Sequence, residues 1–354
     1  MKNNNSKQDI KILGIDLAKN SFHVYGVNEN GVKVLSKKMT RKQLSQFCAK
    51  LPKCLIAMEA CGSAHYWARK FQSYGHEVKL IAPQFVKPFV KSNKNDSIDA
   101  EAICEAVQRP NMRFVSIKTE EQLTIQSLHR IRSQLVKART AQVNQIRGLL
   151  LEHGIVIAKG RAQVQKALME LLGDENIEQK LPDMMKQLIQ GLQSHLDYMD
   201  KQIAEYDQKI QEHTKQTPWA DLLQTIPGIG PIIASAMLSH IGDVSVFKNG
   251  RELAAFLGLV PRQYSTGGKN TLLGISKRGD VYLRTLLIHG ARSRLRVIGE
   301  KTDKTSLWLK SLLERRGYNR TAVALANKMA RVAYALLSTG EMYNSEHLAK
   351  TKSV

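Results

Sequence analysis

The chain carries little acid for its base. Aspartate and glutamate number 31 against 53 lysines and arginines, a formal net charge of +22 over 354 residues. An imbalance this large argues against a cationic partner and for a polyanion. No strongly amphipathic, membrane-seeking segment stands out, so nucleic acid is the expected polyanion rather than a lipid surface. Cysteine is also scarce: Cys48, Cys54, Cys61 and Cys104 all fall in the first third, and no two form a CxxC pair. That spacing excludes a structural zinc site and a disulfide framework for the whole chain, and fits buried free thiols in a reducing cytoplasm. The N-terminus MKNNNSKQDIK has no apolar core of the kind a signal peptide needs. An uninterrupted apolar span is missing too. Leu222 to Gly242 carries no formal charge and approaches membrane length, but Pro227, Gly228, Gly230, Pro231, His240 and Gly242 break it. The expectation is a cytoplasmic, nucleoid-associated protein without a membrane segment. Hydrophobic residues make up 43% of the chain, enough for real cores, and its length calls for two or three of them.

Three regions follow from the patterning. The first, residues 8–110, alternates strands and helices. IKILGIDLA, SFHVYGVN and GVKVLSKKM read as adjacent strands, and RKQLSQFCAKL as a helix. CLIAMEA and EVKLIAP are short buried strands, and SAHYWARKFQSYG and SIDAEAICEAVQ are helices. That order predicts an α/β domain, a mixed sheet with helices packed on it. The second region, 117–216, is two long helical patterns. Leu181, Met185, Leu188, Leu192, Leu196, Met199, Ile203, Tyr206 and Ile210 recur in the latter at steps of three and four. Such a stripe forms either a coiled coil that pairs subunits, the expectation adopted here, or a hairpin within one chain. The third region, 217–345, is mostly α-helical, rich in glycine turns and basic.

Four carboxylates of the first region stand out. Asp16 lies in the apolar strand ILGIDLA, where a charge is costly unless paired, and Glu59 lies where CLIAME runs out. Asp96 and Asp99 open a later helix at i, i+3 spacing. Singly, each has an ordinary reading as a strand-end charge, a helix cap or a first-turn acid. Together, on one sheet edge, they would repel unless cations joined them. Oxygen-only ligands favour Mg²⁺ or Mn²⁺, ions that serve phosphoryl transfer.

In the third region, LLQTIPGIGPIIASAMLSHIG has the look of a helix-hairpin-helix. Gly228 and Gly230 sit in its turn, and free amides at the following helix start are suited to a DNA phosphate. Farther on comes RQYSTGGKN, residues 262–270. It is not a Walker A loop, because Gln263 stands where the first glycine belongs and Asn270 where Ser or Thr must follow the lysine. A phosphate nest, a nucleophile at Ser265 and a plain polar turn stay open on residue types alone. No histidine in the loop is available to activate the serine.

Six stretches, GIDLAK, AMEACG, NDSIDA, IPGIG, FLGLVPRQYSTGGK and GISKRGDVYLRTLLIHGAR, appear in this order over nearly the whole chain. In this combination the sequence resembles a group of bacterial insertion-sequence transposases. Their enzymes join an N-terminal DEDD domain of the RNase H/RuvC-like fold to a C-terminal serine-bearing domain. The Piv pilin-gene invertases belong to the same group, and the STGGK loop looks like that of one subgroup. The resemblance implies roles. Asp16, Glu59, Asp96 and Asp99 would be the tetrad holding Mg²⁺ (or Mn²⁺), and Ser265 the nucleophile leaving a covalent phosphoserine. A bridge or seeker RNA, a non-coding guide, would pair with donor and target DNA. The chain would assemble as a dimer or tetramer through its coiled coil. Arg262, Gly267, Gly268, Lys269, Lys277 and Arg278 lie near the serine and are candidate contacts to the nucleic-acid backbone, with Gly228 and Gly230. The competing reading is a metal-only, structure-specific nuclease in which Ser265 is a loop residue.

Overall fold

The computed structural model describes residues 10–90, 96–173 and 181–344. The N-terminal segment 1–9, where no signal peptide was expected, lies outside them, as does Asn95 of NDSIDA. The chain divides into two compact units. The first comprises residues 1–121 and 241–248, the second 122–240 and 249–354.

The first unit is a six-stranded mixed sheet. Its strands are β1 (Ile12–Asp16), β2 (Ser21–Val27), β3 (Lys33–Thr40), β4 (Leu55–Glu59), β5 (Glu77–Ile81) and the two-residue β6 (Phe114–Val115). They lie side by side in the order β3-β2-β1-β4-β5-β6. β1, β4 and β5 run parallel, while β2, β3 and β6 pair antiparallel. The mixed sheet matches the expectation; β6 is too short to carry a periodic signal.

Alternation along the strands gives this sheet two different faces. One bears Leu13, Ile15, Phe22, Val24, Ile56, Met58 and Leu80, packed against α1 (Arg41–Ala49) and α2 (Ala64–Ser73). α1 starts at a capping box, with Thr40 accepting from the Gln43 amide and the Gln43 side chain accepting from the Thr40 amide. Trp67 of α2 stacks on Phe71 and meets Phe22 edge-on, filling the centre of this layer.

The opposite face is covered by α4 (Asp96–Val107), which follows the short turn α3 (Pro83–Val86). A Cβ placed on Gly14 would lie 2.4 Å from the Ala100 carbonyl oxygen, so the helix seats almost directly on the strand backbone. The Gly14 amide also points to the Cys104 sulfur at 3.1 Å. Ala57, Ile81, Val86, Ala102, Ile103 and Ala106 fill the rest of the layer.

The second unit opens with α5 (Glu120–Leu151), whose first two residues fall in the first unit, α6 (Arg161–Leu172) and α7 (Asp183–Lys215). α5 and α7 run antiparallel. Arg132 pairs with Asp207 and, one heptad on, Arg139 with Asp200 at 2.8 Å, while Arg161 of α6 also reaches Asp200. Val143, Ile146, Val164, Leu168, Ile189, Leu196 and Met199 form a common core of the three helices. The apolar stripe of α7 is therefore largely covered within its own chain. Leu181, Leu196, Met199, Ile203 and Ile210 are buried without a second subunit, and Leu188 is exposed. The structure thus supplies the intrachain packing that sequence left as the alternative, and it does not show a coiled coil between subunits. α6, passed over in the sequence reading, carries Val164, Leu168 and Leu171 at helical spacing and packs by them.

The remaining helices are α8 (Pro218–Gln224), α9 (Pro231–Ile241), α10 (Gly250–Phe256), α11 (Val281–Arg296), α12 (Lys304–Arg316) and α13 (Tyr318–Thr339), which stops at Gly340 in the left-handed conformation. One hairpin, β7 (Pro261–Thr266) and β8 (Lys269–Ile275), interrupts them. A buried polar knot ties α5 to α9 and α11. His129 bonds the Tyr282 hydroxyl through Nδ1 and the Ser235 hydroxyl through Nε2, both at 3.0 Å. Burial first, then the nearby His240, Arg132 and His213, depress its pKa to about 3.

Two predictions follow. Gly14→Ala drives a methyl into the Ala100 carbonyl and lifts α4, with an expected loss of about 1–3 kcal/mol in urea unfolding; unchanged stability would show that the helix gives way freely. His129 has a folded pKa below its unfolded value near 6.5. Between pH 6.5 and about 3 the unfolded chain binds a proton that the folded chain refuses, so stability falls as pH falls across that window. His129→Gln is expected to flatten this acid-side decline in unfolding free energy measured against pH.

Candidate functional site

The four carboxylates fall on the α4 face of the sheet. Asp16 is two residues beyond Gly14 and so shares its face, and register pairing of β1 with β4 carries Glu59 to the strand end beside it. Both strands run parallel and both end at their carboxylate, which places the two groups at one sheet edge. The Cys61 thiol reports the proximity. Its pKa is raised by burial and then by the negative charges of Glu59 and Asp16. Asp96 and Asp99 occupy the first turn of α4, just ahead of the residues that seat on Gly14.

Sequence reasoning missed a fifth polar group on this face. His23 of β2 is the register partner of Asp16. Its Nε2 bonds the Ser36 hydroxyl at 3.1 Å, and Ser36 in turn meets the Ser97 hydroxyl at 3.3 Å, so β2, β3 and the α4 first turn are linked. Its pKa is lowered by burial, against an upward pull from Asp96 and a downward one from Lys38 and Lys33. Within β2 the sequence marks His23 only as a half-buried residue between the buried Phe22 and Val24; its link to Asp16 comes from strand pairing.

Two pairs of carboxylates therefore meet one sheet edge, which is the donor chemistry a hard divalent cation requires. Among the described residues, however, no three His, Cys, Asp or Glu side chains are close enough together to hold a metal ion. The donor set fits the ion; the spacing seen here is wider than a bound ion needs.

Ser265 stands in the second unit, on β7. The RQYSTGGKN stretch is the tip of a β-hairpin. Thr266 pairs with Lys269, and Gly267 and Gly268 form the connection with φ of +54° and +78°. Two positive φ angles in a two-residue loop are what a type I′ turn demands, which explains both glycines locally. Ser265 pairs across the hairpin with Asn270. Its hydroxyl donates to Asn270 Oδ1 at 2.9 Å and accepts from Gln263 Nε2 at 3.0 Å. Gln263 also donates to the same Asn270 oxygen at 3.3 Å. The strands stand clear of any core: Tyr264 is 66% and Leu272 69% exposed. Register is irregular between Pro261 and Gln263, around Arg262. Gln263 and Asn270 as partners of the serine were not foreseen, although an amide flanking a serine across a Gly-Gly turn is a readable hairpin pattern.

At the hairpin's base, the Ser276 amide donates to the Val260 carbonyl at 2.8 Å and the Lys277 amide to the Gly258 carbonyl at 3.1 Å. The buried Arg284 guanidinium ties the Leu257 and Arg278 carbonyls at 3.1 and 3.0 Å. Lys277, with φ of +55°, and Arg278 project from this fixed segment and are exposed. Lys269, at the tip, is exposed too. The IPGIG turn joins α8 to α9 between Thr225 and Pro231. Gly228 there packs on α11, where an added Cβ would come within 2.7 Å of the Gly290 carbonyl oxygen. That contact gives the glycine a packing reason independent of any ligand. Gly230 starts α9, and its carbonyl accepts from the Ile233 and Ala234 amides at 3.0 Å each.

The profile of the Transposase IS116/IS110/IS902 family matches residues 220–305, and a second transposase profile, of the DEDD type of the IS110 group, matches residues 13–155. The chain is 51% identical to a probable family 20 transposase of Pseudomonas aeruginosa over 94% of its own length and 98% of the relative's. It is 47% identical to the transposase for insertion sequence element IS1111A of Coxiella burnetii, over 97% and 93% of the two chains. A pilin gene-inverting protein of Moraxella bovis is 25% identical over 66% of this chain and 64% of that protein. The chain belongs to the IS110/IS116/IS902 family of insertion-sequence transposases, enzymes that bind, cut and rejoin DNA. No helix among the described residues is long and apolar enough to cross a membrane.

The hairpin makes its own prediction. Gly268→Val forces a β-branched residue to φ of +78° and is expected to cost about 1–2 kcal/mol locally. Hydrogen exchange of the 263–271 amides should accelerate while that of α11 and α13 stays unchanged; equal protection would show that the turn is not what holds Ser265 in place.

Proposed function

We propose that this transposase cuts and rejoins donor and target DNA through a covalent phosphoserine at Ser265, with help from divalent metal and direction from a non-coding RNA. In this reading residues 8–110 form a RuvC-like metal-binding domain, 117–216 an oligomerisation region for a dimer or tetramer, and 217–345 the serine domain. The observation that carries the proposal is the presentation of Ser265: an exposed hydroxyl at a hairpin tip, held at two points by amides that neither give up nor take a proton for good. A structural serine has little need of such placement so far from a core.

The chemistry balances without an outside energy source. Ser265 Oγ loses its proton and bonds to a DNA phosphorus; the phosphorus–oxygen bond to the leaving strand breaks, and that oxygen takes up a proton. A hydroxyl of the incoming strand reverses the exchange and frees the serine, so the phosphodiester energy is conserved. Asn270 and Gln263 orient Oγ. Residues 261–275 contain no His, Asp or Glu, so the proton must leave to a group outside the hairpin. Asp16, Glu59, Asp96 and Asp99 would hold Mg²⁺, or Mn²⁺ in its place, on the sheet edge. A bound divalent ion supplies stabilisation of charge on the phosphoryl, attacking and leaving oxygens. Lys269, Lys277, Arg278 and Arg262 are suited to the flanking phosphates, with Gly267 and Gly268 leaving the tip free of bulk and the Gly228–Gly230 turn as a further backbone contact. The charge of +22 supports binding to both RNA and DNA, with base pairing to the guide choosing the sequence.

Ser265→Ala is expected to abolish the DNA–protein adduct and cut recombination by about 10³-fold or more, while DNA binding survives. Undiminished strand cleavage by this variant would instead favour the metal-only nuclease. Asp96→Asn should likewise abolish recombination, and survival would remove the tetrad. Sequencing of RNA that copurifies with the protein should return a discrete non-coding RNA matching the ends of its element; a random RNA population would remove the guide.

A further inference from the structure

A large cleft in the second unit takes no part in the site described above. It has a volume of about 1390 Å³ and lies among α10, α12, α13 and the segment after α13. Small-molecule sites span about 300–1,000 Å³, so this cleft is wider than a metabolite requires. Its charge is one-sided. Arg251, Lys304, Arg320, Lys328 and Arg331 line it, and among the described residues that do so Glu341 is the carboxylate. Between the cations lies apolar surface, notably Leu259, Val323 and Val332. Trp308 lines it as well, with the Lys328 ammonium 4.6 Å above its ring. Pro261 and Ile275, the first residue of β7 and the last of β8, also line it.

We infer that this cleft binds a single-stranded nucleic acid, its sugar-phosphate backbone on the five cations and an unpaired base on Trp308, and leads the strand toward the hairpin that bears Ser265. Three observations decide for this occupant. Lys328 and Arg331 are one helical turn apart on α13, and like charges at that spacing repel unless an anion lies between them. The half-buried Lys328 ammonium has its pKa lowered by burial first and by Arg331 second, a cost that a phosphate would relieve. Finally, a duplex keeps its bases stacked inside and offers phosphates alone, which leaves an aromatic ring and apolar walls unused. A phosphate that draws Lys328 off the indole exposes the ring face on which a free base stacks.

The test uses the full-length protein in EDTA, so that strand chemistry plays no part. Binding of short fluorescein-labelled single-stranded DNA, single-stranded RNA of the same sequence and the corresponding DNA duplex is read by anisotropy across a salt series. Arg320→Gln with Lys328→Gln is expected to weaken at least one of the two single strands about five- to tenfold and to flatten its log–log salt slope by about 1.4, the sum for two phosphate contacts. Which strand responds identifies the occupant as DNA, RNA or both. Trp308→Phe should retain that affinity better than Trp308→Ala and should remove the part of tryptophan quenching that the strand causes in the parent protein. Arg320 is exposed, so Arg320→Gln alone, checked by thermal melting, serves if the double variant folds poorly. Unchanged affinity and slope for both single strands, or a loss confined to the duplex, would overturn the inference. Because Ser265 and the carboxylates are intact and idle in EDTA, this result stands apart from the fate of the phosphoserine proposal.

Discussion

The first unit depends on one close approach, that of α4 to the backbone of β1 at Gly14. A helix can lie that near a strand only where no side chain intervenes, and the Ala100 carbonyl occupies the space a methyl would fill. Everything polar on that face follows from the seating. Cys104 fits over the Gly14 amide and the Tyr25 carbonyl, Ala102, Ile103 and Ala106 close the layer, and the helix start is drawn to the strand ends where Asp16 and Glu59 stand. The Ser36–Ser97 contact and His23 then pin the first turn to β2 and β3. The fully buried aromatic side chains Phe22, Trp67 and Phe71 lie on the other face, while Ile81 and Ile103 help fill the α4 layer.

The second unit places its groups by different means. Its three-helix core is laced by Arg132–Asp207, Arg139–Asp200 and Arg161–Asp200, pairs that are partly shielded and hold the antiparallel register of α5 and α7. The His129 knot adds a buried network whose members are all satisfied, the condition under which such networks specify a unique arrangement. The hairpin needs neither. A Gly-Gly turn sets its register, and side-chain amides hold the serine, while Arg284 and the Ser276 and Lys277 amides fix the base. The hairpin thus projects Ser265 into solvent from a fixed base.

The chain's net charge of +22 suits the DNA that transposases of its family bind. The excess of cations is spread accordingly, some near the hairpin and some in the α12–α13 cleft, where an aromatic ring interrupts the charge.

Much of the architecture could be read from residue order. The short apolar runs ILGIDLA, CLIAMEA and EVKLIAP were strong because these central strands are covered on both faces, and SIDAEAICEAVQ carried helical spacing. The carboxylates were legible for the same reason, as charges where apolar strands end. His23 was not, because its meaning comes from lying opposite Asp16 across a strand pair. Nor were β7 and β8, whose exposed faces impose no period and whose Gly-Gly turn was their one local mark. The α7 stripe shows the converse: sequence determined that a stripe exists, but only the tertiary structure decided what covers it, since a heptad pattern reads the same whether its partner is a second subunit or the chain's own α5 and α6. Periodicity is a property of one element and burial of that element; pairing across strands, helices and clefts is a property of distances between elements, which order along the chain does not contain.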